Sequence, residues 1–103
     1  MKGHRTSDET EEVIARLADE LPLPGDLMDH RDFARTIDDL LPSIPEDQRL
    51  TFILHVFAGL SLPEVAEAME SNLPTTKSRL RLAREKLREK LASRGIVDPS
   101  IAG

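Results

Sequence analysis

Apolar residues recur at three- and four-residue spacing along the whole chain, and no stretch alternates apolar with polar as a half-buried strand would. That periodicity confines the chain to the all-α class, so the stops between helices decide the architecture. Val13, Leu17 and Leu21, with Ile14 beside them, predict a helix over about 7–21. A Thr6–Glu9 capping-box pattern opens it, early acids suit its dipole, and Pro22, Pro24 and Gly25 close it. Asp29 is placed to cap a second helix over about 30–41, with Phe33, Ile37, Leu40 and Leu41 on one face. Pro42 and Pro45 separate it from a third, about 45–58, that is apolar most of the way round. Leu50, Ile53, Leu54 and Phe57 share one side of that helix, and Phe52 and Val56 lie on a neighbouring one. It should be the central element, and Gly59 should end it. A Ser61–Glu64 capping box and a Leu62, Val65, Ala66, Met69 stripe predict a short fourth helix. After Glu70-Ser71-Asn72, Asn72 caps a fifth over about 73–93, with Leu73, Leu80, Ala83, Leu87 and Leu91 as its buried line. Gly95 and Pro99 close the last helix. The expected fold is a small bundle of four to five helices ending in a helix-turn-helix. Residues 1–28 form an arm or linker with one weak helix, 29–94 the domain, and 95–103 a flexible tail.

A chain of 103 residues suffices for one small domain. It has no cysteine, which excludes disulfides, thiolate zinc sites and cysteine nucleophiles. No apolar run approaches the ~20 residues that span a bilayer, and no signal peptide is readable, so the expectation is a cytoplasmic protein with no membrane contact. His4, His30 and His55 are scattered, and His55 reads as a half-buried packing residue. Asp38-Asp39 and the Asp29/Asp32 pair fall near helix starts or flanks, where solvation accounts for them. With no phosphate loop and no nucleophile–base pattern, the chain is read as no enzyme, with no cofactor and no metal.

The formal charge of −5 speaks, as an average, against a nucleic-acid binder. Resolved by position, residues 1–72 carry −10 and residues 73–103 carry +5, with every basic residue of that last stretch between Lys77 and Arg94. At 100° per residue, Lys77, Arg81, Arg84 and Arg88 form one cationic stripe beside the buried line of the fifth helix. Arg79, Lys86 and Lys90 form a second on the other flank. Between the stripes lie Pro74, Thr75, Ser78 and Leu82, then Glu85 and Glu89. A short helix, a three-residue turn and a helix with an uncharged ridge between positive rails suit a major-groove reader. Free amides at the helix start, beside Asn72, offer a further phosphate contact. The same outer face is also what an ordinary solvated helix shows, with Arg81–Glu85 and Glu85–Arg88 as exposed pairs.

Three segments carry a resemblance: Ser43-Ile44-Pro45-Glu46-Asp47-Gln48-Arg49, Gly59 through Met69, and Thr75-Thr76-Lys77-Ser78-Arg79-Leu80-Arg81-Leu82-Ala83-Arg84. Over about 30–92 the chain resembles region 4 of sigma-70 family factors, and is most similar to the extracytoplasmic-function group. The Gly-Leu-Ser and Glu-Val-Ala elements occur in other helix-turn-helix families, whereas Lys77-Ser78-Arg79-Leu80 is sigma-like. The resemblance implies a bacterial transcription-initiation domain whose last helix recognises the −35 promoter element. It also implies docking on the β-subunit flap of RNA polymerase core, with an anti-sigma factor as a further partner. By position, DNA contact falls on Lys77, Ser78, Arg79 and Arg81, with Arg84 on phosphate. With the ridge and cap, the candidate DNA-binding set is Asn72, Thr75, Lys77, Ser78, Arg79, Arg81, Leu82 and Arg84.

The sequence departs from that family's pattern at five positions. Glu70 replaces the usual turn glycine, Ser71 an apolar residue, Pro74 a frequent glycine, Thr76 a core-side valine and Leu82 a frequent arginine. The family's other domain does not fit in residues 1–28, so the chain is either an excised piece or a stand-alone region-4-like protein. Lys2, His4 and Arg5 read either as the tail of a preceding domain, with residues 6–28 as an interdomain linker, or as an ordinary basic N-terminus, and the linker is the favoured reading. Two other readings stay open: a module that binds polymerase or an anti-sigma factor with little DNA binding of its own, and the DNA-binding domain of a two-component-type regulator. Ser78-Arg79-Leu80 speaks against the second. Three phenylalanines and no Trp or Tyr give few aromatic anchors, which points to a monomer when isolated.

Overall fold

In the computed structural model, which describes residues 2–21 and 30–95, five α-helices pack around one core. They are α1 (Lys2–Glu20), α2 (His30–Leu40), α3 (Glu46–Phe52), α4 (Leu62–Ala68) and α5 (Leu73–Ser93). A 3-10 turn, Leu41–Ser43, follows α2, and a π-helical turn, Ile53–Phe57, continues α3. The described residues contain no strand. The core is built by Phe33, Ile37, Leu40 and Leu41, by Phe52 and Val56, and by the Leu80, Ala83, Leu87, Leu91 line of α5. Those α2 and α5 residues are the ones that helical spacing marks for burial. The Pro22–Gly25 break, the Asp29 cap, Pro99 and the tail after Gly95 lie outside the described residues.

The structure differs from the sequence expectation at three places. α1 begins at Lys2, ahead of the Thr6–Glu9 pattern, and it joins the bundle. Leu17 and Leu21 are each only 1% exposed within the main core. The Arg16 Nε donates to the Val56 carbonyl at 2.6 Å, across forty residues of chain. Leu17 on this polar helix and Leu21 directly after it are enough to seat it, because each buried Leu contributes roughly 1.5–3 kcal/mol.

α3 presents the other of its two apolar faces. Phe52 and Val56 are fully buried, Ile53, Leu54 and Phe57 only half-buried, and Leu50 is exposed. The π turn is the physical reason: the Ala58 N–H reaches the Ile53 carbonyl five residues back, at 3.0 Å. A wider turn brings residues four apart more nearly into line, so Phe52 and Val56 stack onto the core. Thr51 beside them is buried because its hydroxyl donates to the Asp47 carbonyl at 2.8 Å.

Leu73, expected on the buried line of α5, is exposed. It is the first residue of the helix, ahead of the turn that meets the core. Thr76 fills that place instead, 1% exposed, with its hydroxyl donating to the Asn72 carbonyl at 2.9 Å.

Candidate nucleic-acid interface

The candidate interface is built on α4, a tight turn and α5. Ser61 and Glu64 close a reciprocal capping box at the start of α4. The Ser61 N–H donates to the Glu64 carboxylate at 2.8 Å, and the Glu64 N–H to the Ser61 hydroxyl at 3.3 Å. The backbone N–H of Ser61, with the Ser61 hydroxyl second, holds the Glu64 carboxyl below the usual carboxylate range.

α4 ends in a Schellman motif. The Ser71 N–H donates to the Ala66 carbonyl at 2.8 Å, and the Glu70 N–H to the Glu67 carbonyl at 3.1 Å. The left-handed position this motif demands falls on Glu70, with φ of 53°. A Cβ there crowds the following carbonyl, which is why glycine is the usual occupant. Glu70→Gly should therefore raise stability by about 0.5–1 kcal/mol, measured as a higher urea midpoint with unchanged m-value. An unchanged or lower midpoint would show that the turn bears no strain.

The turn aims α5. Asn72 is its N-cap, with Oδ1 accepting the Thr75 N–H at 2.8 Å. This narrows the expected supply of free amides, since Pro74 has no N–H and Thr75's is occupied. The Leu73 N–H is the one of the first three positions left without a partner among the described residues.

Beyond the cap the candidate residues separate into two groups. Lys77 and Ser78 are exposed, Lys77 without an ion pair among the described residues. Arg81 is also exposed and only loosely paired with Glu85, at 3.9 Å. Arg79 and Arg84 are held by the rest of the fold: Arg79 Nε lies 3.5 Å from Asp47 of α3, and Arg84 Nη1 lies 3.3 Å from Glu20 of α1. Thr75 and Leu82 are half-buried. Lys77, Ser78, Arg81 and Arg84 share one open groove, whose other wall includes Glu20, His55 and Leu62. Arg79 is not among its lining residues.

Sequence reasoning did not find Glu20, His55 and Asp47 as neighbours of this helix. His55 is half-buried, with Nδ1 2.8 Å from the Leu60 carbonyl and Nε2 3.4 Å from Glu20. Nothing in the spacing of residues 1–28 links Glu20 to Arg84, because the link depends on how α1 docks. Among the described residues, no group of three or more His, Cys, Asp or Glu is placed to hold a metal ion. No helix among them is long and apolar enough to cross a membrane.

The family model described as sigma-70, region 4 matches residues 34–87, just over half of the chain. The match runs from within α2 to within α5, taking in α4, the turn and α5 as far as Leu87. No curated protein and no solved structure matches the chain.

Proposed function

The chain belongs to the sigma-70 family through its region 4, a DNA-binding domain of bacterial transcription initiation, and on that premise we propose that α5 reads the −35 promoter element. Ser78 and Leu82 reach base edges from the outer ridge, and Lys77 and Arg81 meet phosphates along one wall of the major groove. Asn72 and Thr75 set the approach of the helix tip. The polymerase contact is made on the β-subunit flap, an anti-sigma factor masks the same surfaces, and the domain works in the cytoplasm beside the enzyme. The extracytoplasmic-function group is the part of the family this reading favours, on the Lys77–Arg84 segment.

The observation that carries the reading is the exposure of Lys77, Ser78 and Arg81 together on a capped helix directly after the α4 turn. Selection of binding sites from random duplex DNA tests it and yields the motif. On the selected duplex, Lys77→Ala should lower the salt dependence, d log K/d log[salt], by about one unit. A selection with no enriched motif, or an unchanged slope, would sink the assignment.

The internal pairing of Arg79 and Arg84 supports a second reading, in which the domain is chiefly a protein-binding module. On that view, capture of polymerase core survives Lys77→Ala and Arg81→Ala while duplex binding stays weak throughout.

A further inference from the structure

Among the described residues, Glu20 is the one carboxylate that a separate element inserts into the groove beside α5. Its side chain is only 15% exposed, and Oε1 is buried with no hydrogen bond, facing Arg84 Nη1 at 3.3 Å. On its other side lies His55 Nε2, at 3.4 Å. Nδ1–H of the same ring donates to the Leu60 carbonyl, so a bond from Nε2 to Glu20 requires the second ring proton.

The carboxylate is not there by chance of a loose surface contact. Leu17 and Leu21 anchor α1 in the core, and Arg16, one turn before Glu20, donates to the Val56 and Phe57 carbonyls at 2.6 and 3.4 Å. Leu17, Leu21 and Arg16 each lie within about one turn of Glu20, so the helix that carries the carboxylate is fixed in place. A long flexible arginine at the rim of DNA would otherwise be free to swing to the nearest phosphate.

We infer that Glu20 is an affinity-setting residue of the DNA face: its carboxylate occupies on Arg84 the place a DNA phosphate oxygen would take. This rests on the reading of α5 as the DNA-contacting helix and adds the element that restrains it. Carboxylate and phosphate both satisfy a guanidinium through charged oxygens, so they compete for one donor set. In the isolated chain the seated carboxylate has the advantage, because it is already anchored and costs no further ordering. It also places a negative charge where the phosphate backbone approaches. Glu20 lies outside the family-matched residues 34–87, so this restraint is a property of the segment that precedes the matched region. The domain thereby binds DNA less tightly than its cation stripe implies, and depends on polymerase to hold it at a promoter.

The test compares duplex binding by the full chain and four variants, Glu20→Gln, Arg84→Ala, the two combined, and Lys77→Ala, over a range of salt. Glu20→Gln should bind the selected duplex roughly tenfold more tightly, the scale of one charge-assisted contact. Its salt slope should steepen by about one unit as Arg84 gains a phosphate. Combining it with Arg84→Ala should remove the gain. Arg84→Ala alone should change the slope by less than half as much as Lys77→Ala does. If Lys77→Ala weakens binding while Glu20→Gln leaves it unchanged, this inference is overturned and the DNA reading stands. If Lys77→Ala also has no effect, the DNA reading fails and takes the inference with it. Melting by circular dichroism checks that Glu20→Gln is folded. Should it not be, a full-unit loss of slope in Arg84→Ala would overturn the inference alone.

Discussion

Replacing Phe52 with alanine should cost about 3–5 kcal/mol, a large share of the stability of a domain this size. Phe52 is fully buried where α3 passes into the π turn, and its ring meets that of Phe57 edge to face, centroids 6.4 Å apart. It shares the core with residues of α1, α2 and α5, so removing it leaves a void that no single helix can close. The milder Phe52→Leu keeps most of the volume and should cost under about 1.5 kcal/mol. With no Trp or Tyr in the chain, far-UV circular dichroism in urea is the suitable measurement. A loss under 1 kcal/mol for the alanine variant would mean that Leu50, Ile53 and Leu54 form the core-facing side after all.

That last comparison shows where sequence reading succeeded and where it lacked information. The starts of α4 and α5 were legible because local chemistry sets them, whereas α1 begins ahead of its expected cap. The Ser61–Glu64 box, the Asn72 cap and Gly59 at φ 79° act within a few residues, and α5 spans Leu73–Ser93 as its spacing predicts. The core face of α3 was not legible, since periodicity assumes a uniform turn and the π turn breaks it. Leu73 shows the same limit at a helix start, where spacing along α5 continues but the partner surface does not. α1 is a third case: its pattern is real but weak, and its seat is set by Leu17, Leu21 and Arg16 meeting surfaces distant in the chain.

The candidate site divides along the same line. Exposure of Lys77, Ser78 and Arg81 follows from angular position alone. What occupies the other cations does not, because Asp47 and Glu20 lie thirty-two and sixty-four residues away from Arg79 and Arg84. The acidic body is therefore more than a diffuse negative field around a basic helix. Two of its carboxylates sit directly on that helix, Asp47 beside Arg79 on one flank and Glu20 beside Arg84 on the other, while Lys77 has no ion pair among the described residues. Distance alone would not achieve this, since exposed charges beyond about 8–10 Å are largely screened at physiological salt.

The docking of α1 has its own point of weakness at Gly59. Gly59→Ala should destabilise the domain by about 2–3 kcal/mol, from two separable causes. The first is the backbone: φ of 79° costs an L-residue roughly 1–2 kcal/mol. The second is space, because a Cβ at Gly59 would lie 3.2 Å from Arg16 Cζ and 3.3 and 3.4 Å from its two terminal nitrogens. Arg16 would have to shift, and its bond to the Val56 carbonyl is a short, charge-assisted one that tolerates little displacement. Those carbonyls stand at the end of the π turn, where the helix leaves its last acceptors without intrahelical donors. A double-mutant cycle separates the two causes. In an Arg16→Ala background, Gly59→Ala should cost only the backbone part, about 1–2 kcal/mol, leaving a coupling of roughly 1 kcal/mol between the positions. An equal cost in both backgrounds would mean that the guanidinium moves aside freely. In that case Leu17 and Leu21 alone would hold α1, and with it Glu20, against the bundle.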